Sequence, residues 1–136
     1  MSRSVLDASA LLAVLGREAG WEEISGLVPG ALVSAVNLCE VVGKLGDRGM
    51  PGEAIADALG GLGLEVAPFE SAAAHRAGLM KVQTGKHGLS LGDRACLALA
   101  QERGLHAVTT DGAWRDVRVG AEIRVVPRPR RASRKP

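Results

Sequence analysis

At 136 residues the chain has the length of one ordinary domain, and 46% hydrophobic residues place it among globular proteins rather than disordered ones. One Phe, two Trp and no Tyr leave the core to Ala, Val and Leu and argue against an aromatic stacking platform for single-stranded nucleic acid. The formal charge of +2 is unevenly spread: residues 1–122 hold 11 Lys and Arg against 15 acids, a net of −4, whereas residues 123–136 hold 6 basic residues and no acid.

The N-terminus reads directly into a strand, and no apolar run approaches the ~18 residues of a membrane span, so neither a secretory leader nor a membrane segment is expected, and the expected location is cytoplasmic. An apolar run ending in an acid, Val5-Leu6-Asp7, predicts the first strand, and Ser9 is placed to cap a helix over 10–16. Trp21, Ile24, Leu27 and Val28 predict a second helical piece over 17–28, ended by Pro29-Gly30. A short strand follows at 31–33, and Ser34 has the place of an N-cap for a helix over 35–47 that contains Glu40. A helix at 53–59, a strand at 62–66 and a helix at 70–83 come next, then a polar loop at 84–88. Ser90 and Asp93 form an S-x-x-D capping box for a helix over 91–103, closed by Gly104. A strand at 105–109, a turn at 112–116 and a strand at 122–126, stopped by Pro127, complete the order. The alternation predicts an α/β domain over residues 1–126, a mostly parallel central sheet between helical layers. Residues 127–136 read as a basic Pro/Arg-rich tail, expected to be disordered. Cys39 and Cys96, inside predicted helices among apolar neighbours, are expected as buried free thiols of a reducing compartment.

In a parallel α/β sheet the ligand crevice lies beyond the carboxyl ends of the strands. Asp7 and Asp111 end predicted strands and so fall at one sheet edge. Each acid has an ordinary reading by itself: Asp7 as a helix cap, Asp93 as the capping-box carboxylate, Asp111 as a turn residue in Thr-Thr-Asp-Gly, and Glu40 as a solvated helix charge. The apolar neighbours of Glu40, from Leu38 to Val42, favour a pocket over open water. Crowded together, carboxylates repel and force protonation, a conflict that a divalent cation removes. An all-oxygen set suits Mg2+ or Mn2+ rather than zinc, and carboxylate-held Mg2+ is common machinery for phosphodiester hydrolysis. There is no P-loop and no GxGxxG after the first strand, and Ser9 stands where a phospho-aspartyl phosphatase has a second Asp. His75, His87 and His106 are isolated along the chain and are expected at the surface, in a loop and at the start of a strand.

Four segments together resemble the motifs of PIN-domain proteins: Val5-Leu6-Asp7-Ala8-Ser9-Ala10-Leu11-Leu12, Ser34-Ala35-Val36-Asn37-Leu38-Cys39-Glu40-Val41, Leu89-Ser90-Leu91-Gly92-Asp93-Arg94-Ala95-Cys96, and Val108-Thr109-Thr110-Asp111-Gly112-Ala113-Trp114. Size and motif spacing are similar to VapC-type toxins of bacterial toxin–antitoxin pairs, over about residues 5–126. The resemblance implies a three-layer α/β/α PIN-like fold. It implies that Asp7, Glu40, Asp93 and Asp111 are the catalytic and metal-holding acids, with Asp7 and Asp93 as direct Mg2+ or Mn2+ ligands. In the same way, Ser9 and Thr109 resemble hydroxyl residues that support the site. The implied activity is endoribonuclease, acting on an RNA substrate. The implied partners are a cognate VapB-like antitoxin laid across a groove walled by helices at residues 10–28 and 35–62, and a second copy in a homodimer. The tail is read as an aid to RNA binding, Asp116 as surface charge, and Arg94 as either a phosphate contact or a helix-surface residue. A PIN-like binding module without useful catalysis is the alternative, and a DNA nuclease of related fold is a third reading.

Overall fold

A computed structural model of the chain describes residues 3–126. The expected tail at 127–136 lies outside the described residues. Five strands form one sheet: β1 (Ser4–Leu6), β2 (Leu32–Ser34), β3 (Glu65–Ala67), β4 (His106–Thr109) and β5 (Ile123–Val125), in spatial order β3-β2-β1-β4-β5. Every neighbouring pair is parallel, with Val5 opposite Leu32 on one side and Ala107 on the other. The helices are α1 (Ala8–Leu15), α2 (Trp21–Ser25), α3 (Ala35–Asp47), α4 (Gly52–Gly60), α5 (Ser71–Thr84) and α6 (Leu91–Arg103), with 3-10 turns at Gly85–His87 and Gly112–Asp116.

The two-residue period of the strands divides the core into two layers. Val5, Leu32 and Ala107 point to one face, where they pack with Ala77 and Met80 of α5, with Cys96 and Leu97 of α6, and with Trp114. Leu6, Val33 and Val108 point to the other, against Leu11 of α1, Ile24 of α2, Val41 and Leu45 of α3 and Ile55 of α4. The result is the expected three-layer α/β/α arrangement.

Three expectations are corrected. Asp7, not Ser9, caps α1, because the chain turns into the helix as soon as β1 ends; Ser9 lies inside the first turn. The second helix is limited to 21–25, framed by Gly20 in the left-handed region and by Gly26. Cys39 is exposed while Cys96 is buried. The buried positions of α3 are Asn37, Val41 and Leu45, a four-residue step that turns Cys39 and Val42 outward.

Candidate active site

The sheet order reverses direction at β1: the chain moves outward through β2 and β3, then returns to the other side of β1 with β4. The crevice beyond β1 and β4 is therefore the topological switch point, where open α/β sheets bind ligands. Asp7 follows β1 into this crevice, and Thr109 is the last residue of β4.

Asp7 is 4% exposed and held by three donors. Its Oδ1 accepts from the Ala10 amide at 2.8 Å and from Ser9 Oγ at 2.7 Å, and its Oδ2 accepts from Thr109 Oγ1 at 2.5 Å. Ser9 Oγ in turn accepts from the Thr110 amide at 3.0 Å, and Thr109 Oγ1 from the Asp111 amide at 3.1 Å. Ser9 and Thr109, singled out in the sequence, thus form the cradle of Asp7. Burial pushes the Asp7 carboxyl up to about 6; the three donors oppose that rise, and the negative charge of Asp93 adds to it.

Asp93 sits at N3 of α6. Its Oδ2 accepts from the Ser90 amide at 3.0 Å while its own amide donates to Ser90 Oγ at 3.2 Å, so the capping box read from the sequence is present. Glu40 reaches from α3 to the same helix start, where its carboxylate lies against the backbone of Gly92; a Cβ on Gly92 would stand 2.6 Å from Glu40 Cδ. Cys96, one turn below Asp93, is fully buried, and its thiol is pushed well up by burial and then by the charges of Asp7, Asp93 and Glu40. Three acids from three separate elements are therefore within electrostatic reach of one buried thiol. Asp111 stands apart from this trio. Its carboxylate is exposed and accepts from the Ala113 amide at 2.9 Å, capping the 112–116 turn.

Among the described residues, no three His, Cys, Asp or Glu side chains are gathered closely enough to enclose a metal ion in their present rotamers. The donor set nevertheless fits a hard divalent cation. It is all carboxylate oxygen, and Asp7 is a buried acid whose charge no basic side chain among the described residues compensates. The imidazoles are elsewhere: His75 is exposed on α5, His87 lies in a 3-10 turn, and His106 begins β4 with Nε2 2.9 Å from Ser4 Oγ. Arg94 turns away into the α5–α6 seam, where Nη1 donates to the Ala77 carbonyl at 2.9 Å. Asp116 is exposed.

Two residues of the site were not singled out in the sequence. Asn37, 1% exposed, donates from Nδ2 to Glu40 Oε1 and to the Gly92 carbonyl, each at 3.0 Å. Its position three residues before Glu40, on the same helix face, is the signal that would have found it. Arg115 lies over Gly112, its Nη1 2.8 Å from where a Cβ would stand, and so brings a cation beside the Asp111 loop.

The comparisons agree with this fold. The PIN domain model matches residues 4–120, and the chain belongs to the PIN domain family. Solved structures share the fold at low identity. The DNA-bound VapBC of Salmonella typhimurium superposes with a TM-score of 0.73 at 21% identity, covering 92% of this chain and 98% of that one. VapC20 of Mycobacterium tuberculosis, a sarcin-ricin loop cleaving toxin, gives 0.69 at 19% identity, with 88% and 98% covered. VapBC2 of Rickettsia felis, bound to a fragment of its promoter DNA, gives 0.68 at 14% identity, with 91% and 98% covered. No curated protein matches the chain.

Proposed function

We propose that this chain is a divalent-metal-dependent endoribonuclease and the toxin of a toxin–antitoxin pair. The observation that carries the reading is the buried Asp7 carboxylate at the switch point of the sheet, held by Ser9, Ala10 and Thr109 and within electrostatic reach of Asp93. Asp7 and Asp93 would hold the cation, with Glu40 beside them and Asp111 at the rim. When bound, a Mg2+ or Mn2+ ion lowers the pKa of a water and neutralises charge on the phosphate under attack. The chain's own residues do the rest. Ser9 and Thr109 fix the two oxygens of Asp7 in one orientation, and the Ala10 amide at the start of α1 supplies a further donor. Glu40, the exposed member of the trio, is the one able to accept a proton from an incoming water.

Surface features support the partners. A mostly apolar groove of about 420 Å3 runs between α3, α4 and β3, lined by Leu38, Val42, Ile55, Leu59, Leu64 and Val66. A second hollow of about 400 Å3 lies among Leu15, Leu45 and Met50. Together they suit an antitoxin segment with apolar anchors, and a basic side chain of that segment would find the acids nearby. On α5, Leu79 and Val82 are 70% and 85% exposed, which favours a second copy of the chain against that helix.

Cleavage of total RNA in Mg2+ or Mn2+, beside EDTA and an Asp93→Asn variant, tests the activity. Discrete fragments that vanish in both controls are expected. Folded protein that neither cuts nor binds Mn2+ would sink the catalytic reading and leave a PIN-like binding module. Cleavage confined to DNA would replace the RNA assignment.

A further inference from the structure

We propose that Asn37 is a positioning residue: its amide pins the Glu40 carboxylate onto the bare backbone of Gly92 and so sets where Glu40 stands relative to Asp93. The inference rests on the carboxylate-site reading above and adds a part to it.

Asn37 is a buried polar side chain in the first turn of α3, on the face that continues with the buried Val41 and Leu45. Such a group is costly unless bonded, so its bonds show why it is tolerated. Both go to the site: one Nδ2 hydrogen to Glu40 Oε1, the other to the carbonyl of Gly92, the residue before Asp93. Both partners only accept, which settles the orientation of the amide, since a flip would set oxygen against oxygen twice. The same orientation leaves Asn37 Oδ1 buried without a hydrogen-bond partner.

Gly92 completes the clamp. Its φ is not in the left-handed region, so the glycine serves space rather than backbone conformation, and the space is filled by the Glu40 carboxylate. Without the amide, an exposed glutamate on α3 would sample several rotamers. With it, one carboxylate oxygen is fixed one residue from Asp93. Partners of this kind, which orient a metal-binding or proton-accepting carboxylate, typically change metal affinity or activity about 10- to 100-fold when removed.

Two variants separate positioning from structure. Gly92→Ala places a methyl where the carboxylate lies. The carboxylate is the far end of a flexible side chain and swings away at little cost, and Ala is the better helix former. Asn37→Leu removes both donors and the idle acceptor while keeping the number and branching of side-chain heavy atoms. Each is expected to keep the fold while weakening Mn2+ binding about tenfold or more by calorimetry on the full chain. Neither is expected to weaken it further in a Glu40→Ala background. A loss that persists in that background would overturn the proposal, because Asn37 would then be acting through the fold at large.

A metal-free measurement tests the clamp itself. Asn37 is the sole asparagine in the chain, so its side-chain NH2 pair is readily told apart from those of Gln83 and Gln101 in a 15N spectrum. The pair is expected to be protected from exchange and to shift in Glu40→Ala. A solvent-like pair indifferent to Glu40→Ala overturns the clamp even if wild type binds Mn2+. A protected pair in a chain that binds no Mn2+ overturns the carboxylate-site reading and, with it, the role given to Asn37.

Discussion

Asp7 has its carboxyl raised from 3.8 to about 6 because burial outweighs three hydrogen bonds. An acid raised in the folded state keeps its proton after the unfolded chain has lost it. The metal-free fold therefore has its full stability below about pH 4, loses it progressively as pH rises to about 6, and stays lower above. The loss is about 3 kcal/mol at neutral pH. Asp7→Asn lacks this penalty and can still use its carbonyl oxygen at the Oδ1 position. In EDTA, the urea midpoint of the variant should draw above that of wild type between pH 4 and 6 and hold its lead beyond. Saturating Mn2+ at pH 7 should narrow the lead by stabilising only wild type. A gap constant across this range would show that the Asp7 charge carries no strain. RNA cleavage should be absent in Asp7→Asn throughout.

At the level of elements, the start of α6 combines two tasks. Asp93 closes the capping box with Ser90 and also lies within electrostatic reach of Asp7. Ser90→Ala should cost about 1 kcal/mol in urea unfolding. It should also loosen the α6 end that carries Asp93, so that more Mn2+ is needed for half-maximal cleavage. An unchanged Mn2+ requirement would assign the box to stability alone. Elements with strong caps were the legible ones: Ser34 and Ser90 gave α3 and α6 their observed bounds, and Gly104, at φ 65, ended α6 where expected. Where a local signal was ambiguous, the tertiary arrangement decided. Ser9 has the chemistry of a cap, but its hydroxyl serves Asp7 and the amide of Thr110, the residue just past β4, a partner that local sequence cannot show. The apolar neighbours of Cys39 suggest burial, but the buried positions of α3 fall at Asn37, Val41 and Leu45, and a buried polar residue in that stripe hides it from a reading of apolar periodicity. The four acids are legible from their places in the chain and from the resemblance, which sets Asp7 and Asp93 ahead as direct ligands; the separate position of Asp111 is not legible there. The trio of Asp7, Glu40 and Asp93 and the separate exposure of Asp111 depend on how three elements meet at the end of the sheet.

For the whole molecule, charge is divided along the chain. A body with a net of −4 over residues 1–122 repels RNA at long range, while residues 127–136 add five Arg and Lys. If those five contact phosphates, replacing them with Gln should lower the slope of log affinity against log salt by up to about 3 to 4 for a single-stranded RNA. Cleavage of a short oligonucleotide at saturation should be left intact. A slope that does not change would remove the C-terminal basic run from RNA binding.

The bond between Thr109 and Asp7 joins residues 102 apart in sequence, and β1 has β4 as its neighbour on that side of the sheet. During synthesis at about 5–20 residues per second, Asp7 is made roughly 5 to 20 s before its partner. A ribosome still translating this message thus carries a chain whose first acid has neither its hydroxyl donor nor its second flanking strand. A message cut or stalled ahead of codon 109 yields a polypeptide without an assembled Asp7 cradle. The order of the strands therefore leaves the Asp7 cradle unassembled until β4 has been made.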